Sequence, residues 1–164
     1  MVTYRAATIK DVEELSRLWT EFIEEHDSFV IAQNPRVIPL QKMLPEAPEV
    51  HKRFLSAQLN SKDSIAYLAI DGDVIVGYLF AGIRDNIPIY EIKKTGHLYD
   101  LYVKKKYRGQ RISSRLFAMV TEFFKQKNIK MLSLPVYNDK PDAHAIYKKW
   151  GFFDYYIEMR KELE

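Results

Sequence analysis

Leu101-Tyr102-Val103-Lys104-Lys105-Lys106-Tyr107-Arg108-Gly109-Gln110-Arg111-Ile112-Ser113-Ser114-Arg115 is the stretch on which the fold turns. Its first residues close a run of aromatic and branched side chains that reads as a strand over 96–103. Beyond it, Ile112, Leu116, Val120 and Phe123 recur at helical spacing, so residues 108–127 read as a helix. The turn between them is strongly charged: six basic residues and no acidic one stand between Val103 and Arg115. Basic side chains at a helix start oppose its dipole and cost stability. The first N–H groups of that helix have no partner within it. The combination points to an anionic ligand, most simply a phosphate. A solvated basic loop and a nucleic-acid contact are the other readings, although only Tyr107 interleaves the run with an aromatic ring. The glycine loops G-x-G-x-x-G and G-x-x-x-x-G-K-[ST] are absent.

Working outward, residues 2–7 read as a strand, and Thr8 with Asp11 as a capping pair. A helix follows, carrying Val12, Leu15, Leu18, Trp19, Phe22 and Ile23 on one face and ending near His26. Asn34-Pro35 and Ile38-Pro39 break the pattern, which makes 27–45 a loop or short helical piece, and a second helix is expected over 46–60. Residues 65–70 and 74–83 flank Asp71-Gly72-Asp73 as a hairpin, and 85–95 is a connection. After the central helix come a strand over 130–136, a helix from Pro141 to Trp150 stopped by Gly151, and a last strand over 152–159. The fold class is therefore α/β: one domain over residues 1–164, with a mixed, mostly antiparallel sheet flanked by helices in the order β-α-α-β-β-β-α-β-α-β. Ligands of such sheets settle at carboxyl ends of strands where the topology changes, here beyond the strand at 98–103.

Composition narrows the function. The chain has 164 residues, 47% hydrophobic and 29% charged, which is ordinary for a globular protein. It has no cysteine, which removes disulfides, Cys-ligated metals and a thiol nucleophile. No apolar run approaches the roughly 20 residues of a membrane span, and Met1 to Arg5 lacks the apolar core of a secretory signal. The cytoplasm is the expected location. His26, His51, His97 and His144 are scattered, so no metal site is expected. The net charge is +3, yet outside the basic turn the remaining 19 basic residues face 22 acidic ones.

Leu101-Tyr102-Val103 followed by Tyr107-Arg108-Gly109-Gln110-Arg111-Ile112-Ser113 resembles motif A of the GNAT acetyltransferase superfamily, Arg/Gln-x-x-Gly-x-Gly/Ala, which falls on Arg108, Arg111 and Ser113. Arg111 stands where the family has glycine, and Ser113 where it has glycine or alanine. Arg5-Ala6-Ala7 with Asp11 resembles the family's opening, and Ala143-His144-Ala145-Ile146-Tyr147-Lys148-Lys149-Trp150-Gly151-Phe152 its Ala-x-x-x-Tyr-x-x-x-Gly-Phe signature. The resemblance implies an acetyl-CoA-dependent N-acetyltransferase that moves the acetyl group directly to a primary amine. It places backbone groups of Leu101, Tyr102 and Val103 on the pantetheine arm. The pyrophosphate falls in the turn formed by Arg108, Gly109, Gln110, Arg111, Ile112, Ser113 and Ser114. Asn138 and Tyr147 become further CoA contacts. Tyr147 is the implied acid for the departing thiolate, and Asp100 and His97 are candidates for handling the amine and its proton.

Each of these has a plainer reading. Tyr147 is one of 11 tyrosines and fits a helix packed on a sheet; His97 fits a strand-end histidine in water; Asp100 fits a structural hydrogen bond; Asn138 fits a turn. Tyr99-Asp100 stands where polyamine-acetylating relatives have Glu-Asp, which favours a small polyamine-like acceptor over a peptide N-terminus or a lysine. The departures at Arg111 and Ser113 motivate an alternative, a CoA-binding sensor or interaction module with reduced catalysis. No nucleic-acid or membrane partner is expected, and the family's habit suggests a homodimer.

Overall fold

Five strands lie side by side in chain order in one sheet: β1 (Val2–Ala6), β2 (Ser64–Asp71), β3 (Val74–Asp85), β4 (Lys94–Val103) and β5 (Leu132–Ser133). The first three junctions are antiparallel and β4 with β5 is parallel. The computed structural model describes residues 1–138 and 140–163. The chain forms two compact units, Met1–Leu134 and Pro135–Glu164.

In the first unit, Asp71-Gly72-Asp73 makes the β2–β3 turn, with Gly72 at φ +61 supplying the left-handed conformation that other residues resist. Helix α1 (Val12–Gln33) enters through Thr8 and Asp11: the Asp11 carboxylate accepts from the Thr8 N–H at 2.7 Å and from its hydroxyl at 3.0 Å. Arg5 donates to the same carboxylate at 2.7 and 2.8 Å, clamping the end of β1 to the helix start. A four-residue α2 (Ile38–Gln41) and α3 (Ala47–Leu59) follow. Leu15, Leu18 and Leu55 from α1 and α3 bury against Leu68, Tyr78, Phe80 and Tyr102 on one face of the sheet. Helix α4 (Ile112–Gln126) covers the other face with Leu116, Val120 and Phe124, each at most 1% exposed.

Four boundaries differ from the sequence reading. Helix α1 continues past His26 to Gln33, because nothing before Asn34-Pro35 breaks it and Val30 extends the buried stripe. Helix α4 begins at Ile112 instead of 108, because Gly109 at φ +78 and Arg111 at φ +60 hold the preceding backbone out of the helical region. The strand expected over 130–136 is reduced to Leu132–Ser133. In the second unit α5 (Pro141–Lys149) forms as expected and Gly151 at φ +89 ends it, but 152–159 is not a strand. Phe153, Tyr155, Ile157 and Met159 do alternate as a strand would, and they are 64–89% exposed. Alternation alone supplies no neighbour for the backbone ladder, and the element order therefore ends at α5.

Candidate active site

The centre of the first unit is a bulge in β4. Register pairs Phe80 with Asp100 and Ala81 with Leu98, which leaves Tyr99 as an extra residue on β4. Before the bulge, the Gly96 N–H points to the β5 side, reaching the Met131 carbonyl at 2.9 Å. After it, the Lys104 N–H points the other way, to Val76 on β3 at 2.9 Å. The inserted residue thus switches which positions face outward, and it is Leu101 and Val103 that turn their backbone groups away from β3. Strand β5 pairs only with Gly96 and His97, so β4 from Leu98 onward has an edge that β5 does not cover. A strand edge of this kind presents N–H and C=O groups to a ligand, although the Val103 carbonyl already accepts from Arg108.

That edge runs into the basic turn. The first helical bond of α4 is from the Arg115 N–H to the Arg111 carbonyl at 3.1 Å, which leaves the N–H groups of Ile112, Ser113 and Ser114 at the open end. Among the described residues no side chain caps this end, and no acidic residue stands in its first turn. A Cβ added to Gly109 would meet nothing within 4 Å, so open space adjoins the turn there. Arg111 adopts the left-handed backbone that glycine adopts most readily, at φ 60 and ψ 16. Such a turn suits a pyrophosphate: successive N–H groups converge on it at the positive end of a helix. The Arg108 side chain has another task. Its Nε donates to the Val103 carbonyl at 2.8 Å, and its two terminal nitrogens grip Glu25 on α1 at 2.8 and 2.9 Å. Only its backbone is left to face an anion. Tyr102 likewise turns its ring into the core, 7% exposed, against Phe22 and Tyr78.

The titratable groups next to the bulge are perturbed. Burial raises the Asp100 carboxyl to about 7. Beside it the Tyr78 hydroxyl is buried with no hydrogen-bond partner among the described residues, and its pKa is pushed well up, first by burial and then by the Asp100 charge. A half-buried carboxyl raised toward neutrality beside a buried phenol that finds no partner among the described residues is an uncommon combination and points to chemistry. His97 is held differently: Nδ1 lies 2.9 Å from the Ser133 Oγ, whose hydroxyl reaches the Gly96 carbonyl at 3.3 Å. Burial, then the charge of Arg84, lowers its pKa to about 4, which keeps the ring neutral. Arg84 also lies over the Tyr99 ring at 4.7 Å.

The second unit carries the other two sequence-derived candidates. Tyr147 lies on α5, half-buried, with Trp150 and Phe152 edge-on at 5.7 and 5.9 Å, and burial raises its pKa, which keeps the phenol protonated. Asn138 is exposed in the turn before α5. The first unit therefore brings together His97, Asp100, Leu101, Tyr102, Val103 and the turn from Arg108 to Ser114. Tyr78 and the Glu25–Arg108 pair escaped the sequence reading. Tyr78 looks like any alternating strand residue, and Glu25 is 83 residues from Arg108 with no local signal linking them.

Known proteins are similar to this chain. The family model for the acetyltransferase (GNAT) family matches residues 19–152. An uncharacterized N-acetyltransferase, YycN of Bacillus subtilis, is 27% identical over 122 residues, which are 74% of this chain and 69% of that protein. An uncharacterized N-acetyltransferase of Archaeoglobus fulgidus is 30% identical over 86 residues, 52% of this chain and 57% of that one. Among solved structures, a predicted acetyltransferase of Clostridium acetobutylicum crystallised with acetyl-CoA superposes with a TM-score of 0.78 at 20% identity, covering 98% of this chain and 96% of that one.

Proposed function

The chain belongs to the acetyltransferase (GNAT) family, and from this we propose that it moves an acetyl group from acetyl-CoA directly to a primary amine, with the whole chain acting as one transferase domain. The observation that carries the reading is the bulged, uncovered edge of β4 leading into an uncapped helix start. The residues suit acetyl-CoA: an open strand edge for the amide-rich arm and a cradle of N–H groups for the pyrophosphate. When bound, acetyl-CoA supplies an activated thioester. The Leu101 N–H lies on the exposed edge, placed to donate to the carbonyl oxygen as negative charge develops there. The N–H groups from Gly109 to Ser114 orient the cofactor, with Arg111 adding charge.

Asp100 receives the amine proton in this scheme. An acceptor amine is mostly ammonium at neutral pH and must lose a proton before attack, and a carboxyl at about 7 is matched to that task. His97, neutral and anchored through Nδ1, orients groups at the start of the uncovered edge. Tyr147, kept protonated by burial, donates to the departing thiolate. No cysteine exists to carry the acetyl group, which favours direct transfer. Among the described residues no helix is long and apolar enough to cross a membrane; a cytoplasmic homodimer is the proposed working form.

Calorimetric titration with CoA, followed by thiol release from acetyl-CoA across an amine panel, tests the assignment. Binding with turnover is expected, and no binding at millimolar CoA overturns it. Arg111 where the family pattern has glycine, and Ser113 where it has glycine or alanine, favour a second reading, a CoA-binding sensor or interaction module with reduced catalysis. Tight CoA binding without thiol release for any amine would select it.

A further inference from the structure

An apolar hollow of about 330 Å³ opens beside α1 and α3, lined by Trp19, Leu44, Ala47, Val50, His51 and Phe54. Among the described residues that line it, the one titratable group is His51. That ring stacks on Trp19 at 4.1 Å and 7°, sets Nδ1 3.4 Å from the Ser16 Oγ, and stays neutral because burial lowers its pKa to about 4. Leu44, Val50 and Phe54 leave 65, 46 and 41% of their surface in water around the hollow, apolar area that stays uncovered at a cost. Phe54 ties the hollow to the bulge. Its ring stands edge-on to Tyr99, the inserted residue, at 6.0 Å and to Phe80 at 5.9 Å. One ring thus separates the hollow from the residue adjoining Asp100.

The charge on the nearby helices speaks against a polycationic acceptor at this place. Arg17 holds Glu14 and Glu21, Lys52 holds Glu13 and Glu49, and Arg108 holds Glu25. Among the described residues no charged side chain lines the hollow. A second ammonium group placed there would lose its hydration for no partner. A hydrocarbon group would gain by leaving water, and the volume fits a branched alkyl chain or one aromatic ring.

We infer that this hollow seats the hydrocarbon group of the acceptor, which makes the acceptor a small monoamine carrying one apolar or aromatic substituent and not a polyamine. The inference rests on the acetyl-transfer reading for the amine's destination, but the hollow is testable apart from it. Thiol release is measured with 2-phenylethylamine, 3-methylbutylamine, ethylamine and spermidine. The two larger monoamines are expected to exceed the other pair at least tenfold in kcat/KM. Filling the hollow with Ala47→Phe is expected to collapse that ratio toward one. Emission from Trp19 gives a readout independent of catalysis. In a Trp150→Phe background Trp19 is the remaining tryptophan of the two, and 2-phenylethylamine should shift its emission saturably where spermidine does not. Turnover with no preference, and a ratio that Ala47→Phe leaves unmoved, would overturn the hollow while the transfer reading stands. Absence of turnover with every amine, together with a saturable Trp19 response, would sink the transfer reading and leave the hollow. A Trp19 response to spermidine equal to that for 2-phenylethylamine would overturn the inference outright.

Discussion

Asp100 shows how one half-buried carboxyl connects stability to chemistry. Its pKa rises from 3.8 to about 7 because burial penalises the charged form. Between those values the unfolded chain has released the proton and the folded chain retains it, so folding stability falls as pH rises from about 4 to 7. The burden is complete above 7, up to about 4 kcal/mol at about 1.4 kcal/mol per pKa unit. Replacing Asp100 with Asn removes that titration. The variant should be more stable than the parent at pH 8, with the gap closing toward pH 4, by thermal or urea unfolding across pH. The same change should cost about a hundredfold or more in kcat/KM and erase the limb of the pH–rate profile near 7. A gain in stability with unchanged turnover would make Asp100 a structural residue. Asp11 runs the opposite way: Arg5 and Thr8 hold its pKa down to about 2, so its contribution is present above 3.8 and lost as pH falls through 2. Arg111 offers a second test at this scale. Its left-handed backbone costs about 1 kcal/mol that glycine would not. Arg111→Gly should raise stability by about that amount while weakening CoA binding through the lost charge, separating the shape of the turn from its charge in one titration.

At the scale of elements, the β4–β5 junction decides how the edge opens. Gly96 sits there because nothing larger fits: an added Cβ would lie 2.5 Å from Leu132 Cδ2 and 2.8 Å from Phe124 Cε1. Gly96→Ala must displace the Leu132 and Phe124 side chains, and a loss of about 1–3 kcal/mol is expected in denaturant unfolding. Weaker CoA binding should accompany it, since Gly96 and His97 carry the whole of the β4–β5 pairing. Most elements were legible because local chemistry marks them: Asp71-Gly72 for the hairpin, Thr8 with Asp11 for the entry to α1, Gly151 for the end of α5. The bulge was not legible. An inserted Tyr99 leaves no compositional trace, since tyrosine is as good a strand residue as its neighbours, and only the partner strand reveals that the alternation has slipped. The last strand failed for the complementary reason. Its apolar period is genuine, but a ladder needs a second chain segment that the period does not encode.

For the whole molecule, the distribution of charge matters more than its sum. The basic turn stands out along the chain, but folding sets acidic side chains against it. Glu21, Glu24 and Glu25 of α1 line one groove together with Lys104, Lys105 and Lys106, and Glu25 claims the Arg108 guanidinium. The field of the turn is therefore short in reach, enough for the phosphates of one cofactor and poorly suited to a polyanion. Pairing over 83 residues of sequence is what made this invisible before the fold was known. A measurable contrast follows. Raising salt from about 50 to 200 mM should weaken CoA binding by no more than about tenfold, whereas a protein touching 6–10 phosphates of duplex DNA loses about 10³–10⁵ over that range. Calorimetry with CoA and fluorescence anisotropy with a labelled duplex, at both salt concentrations, give the two slopes. Tight duplex binding at the lower salt with a steep loss at the higher would show that the lysines of the turn act together on a polyanion despite the acidic wall of α1, and would displace the cofactor from its central place in the function.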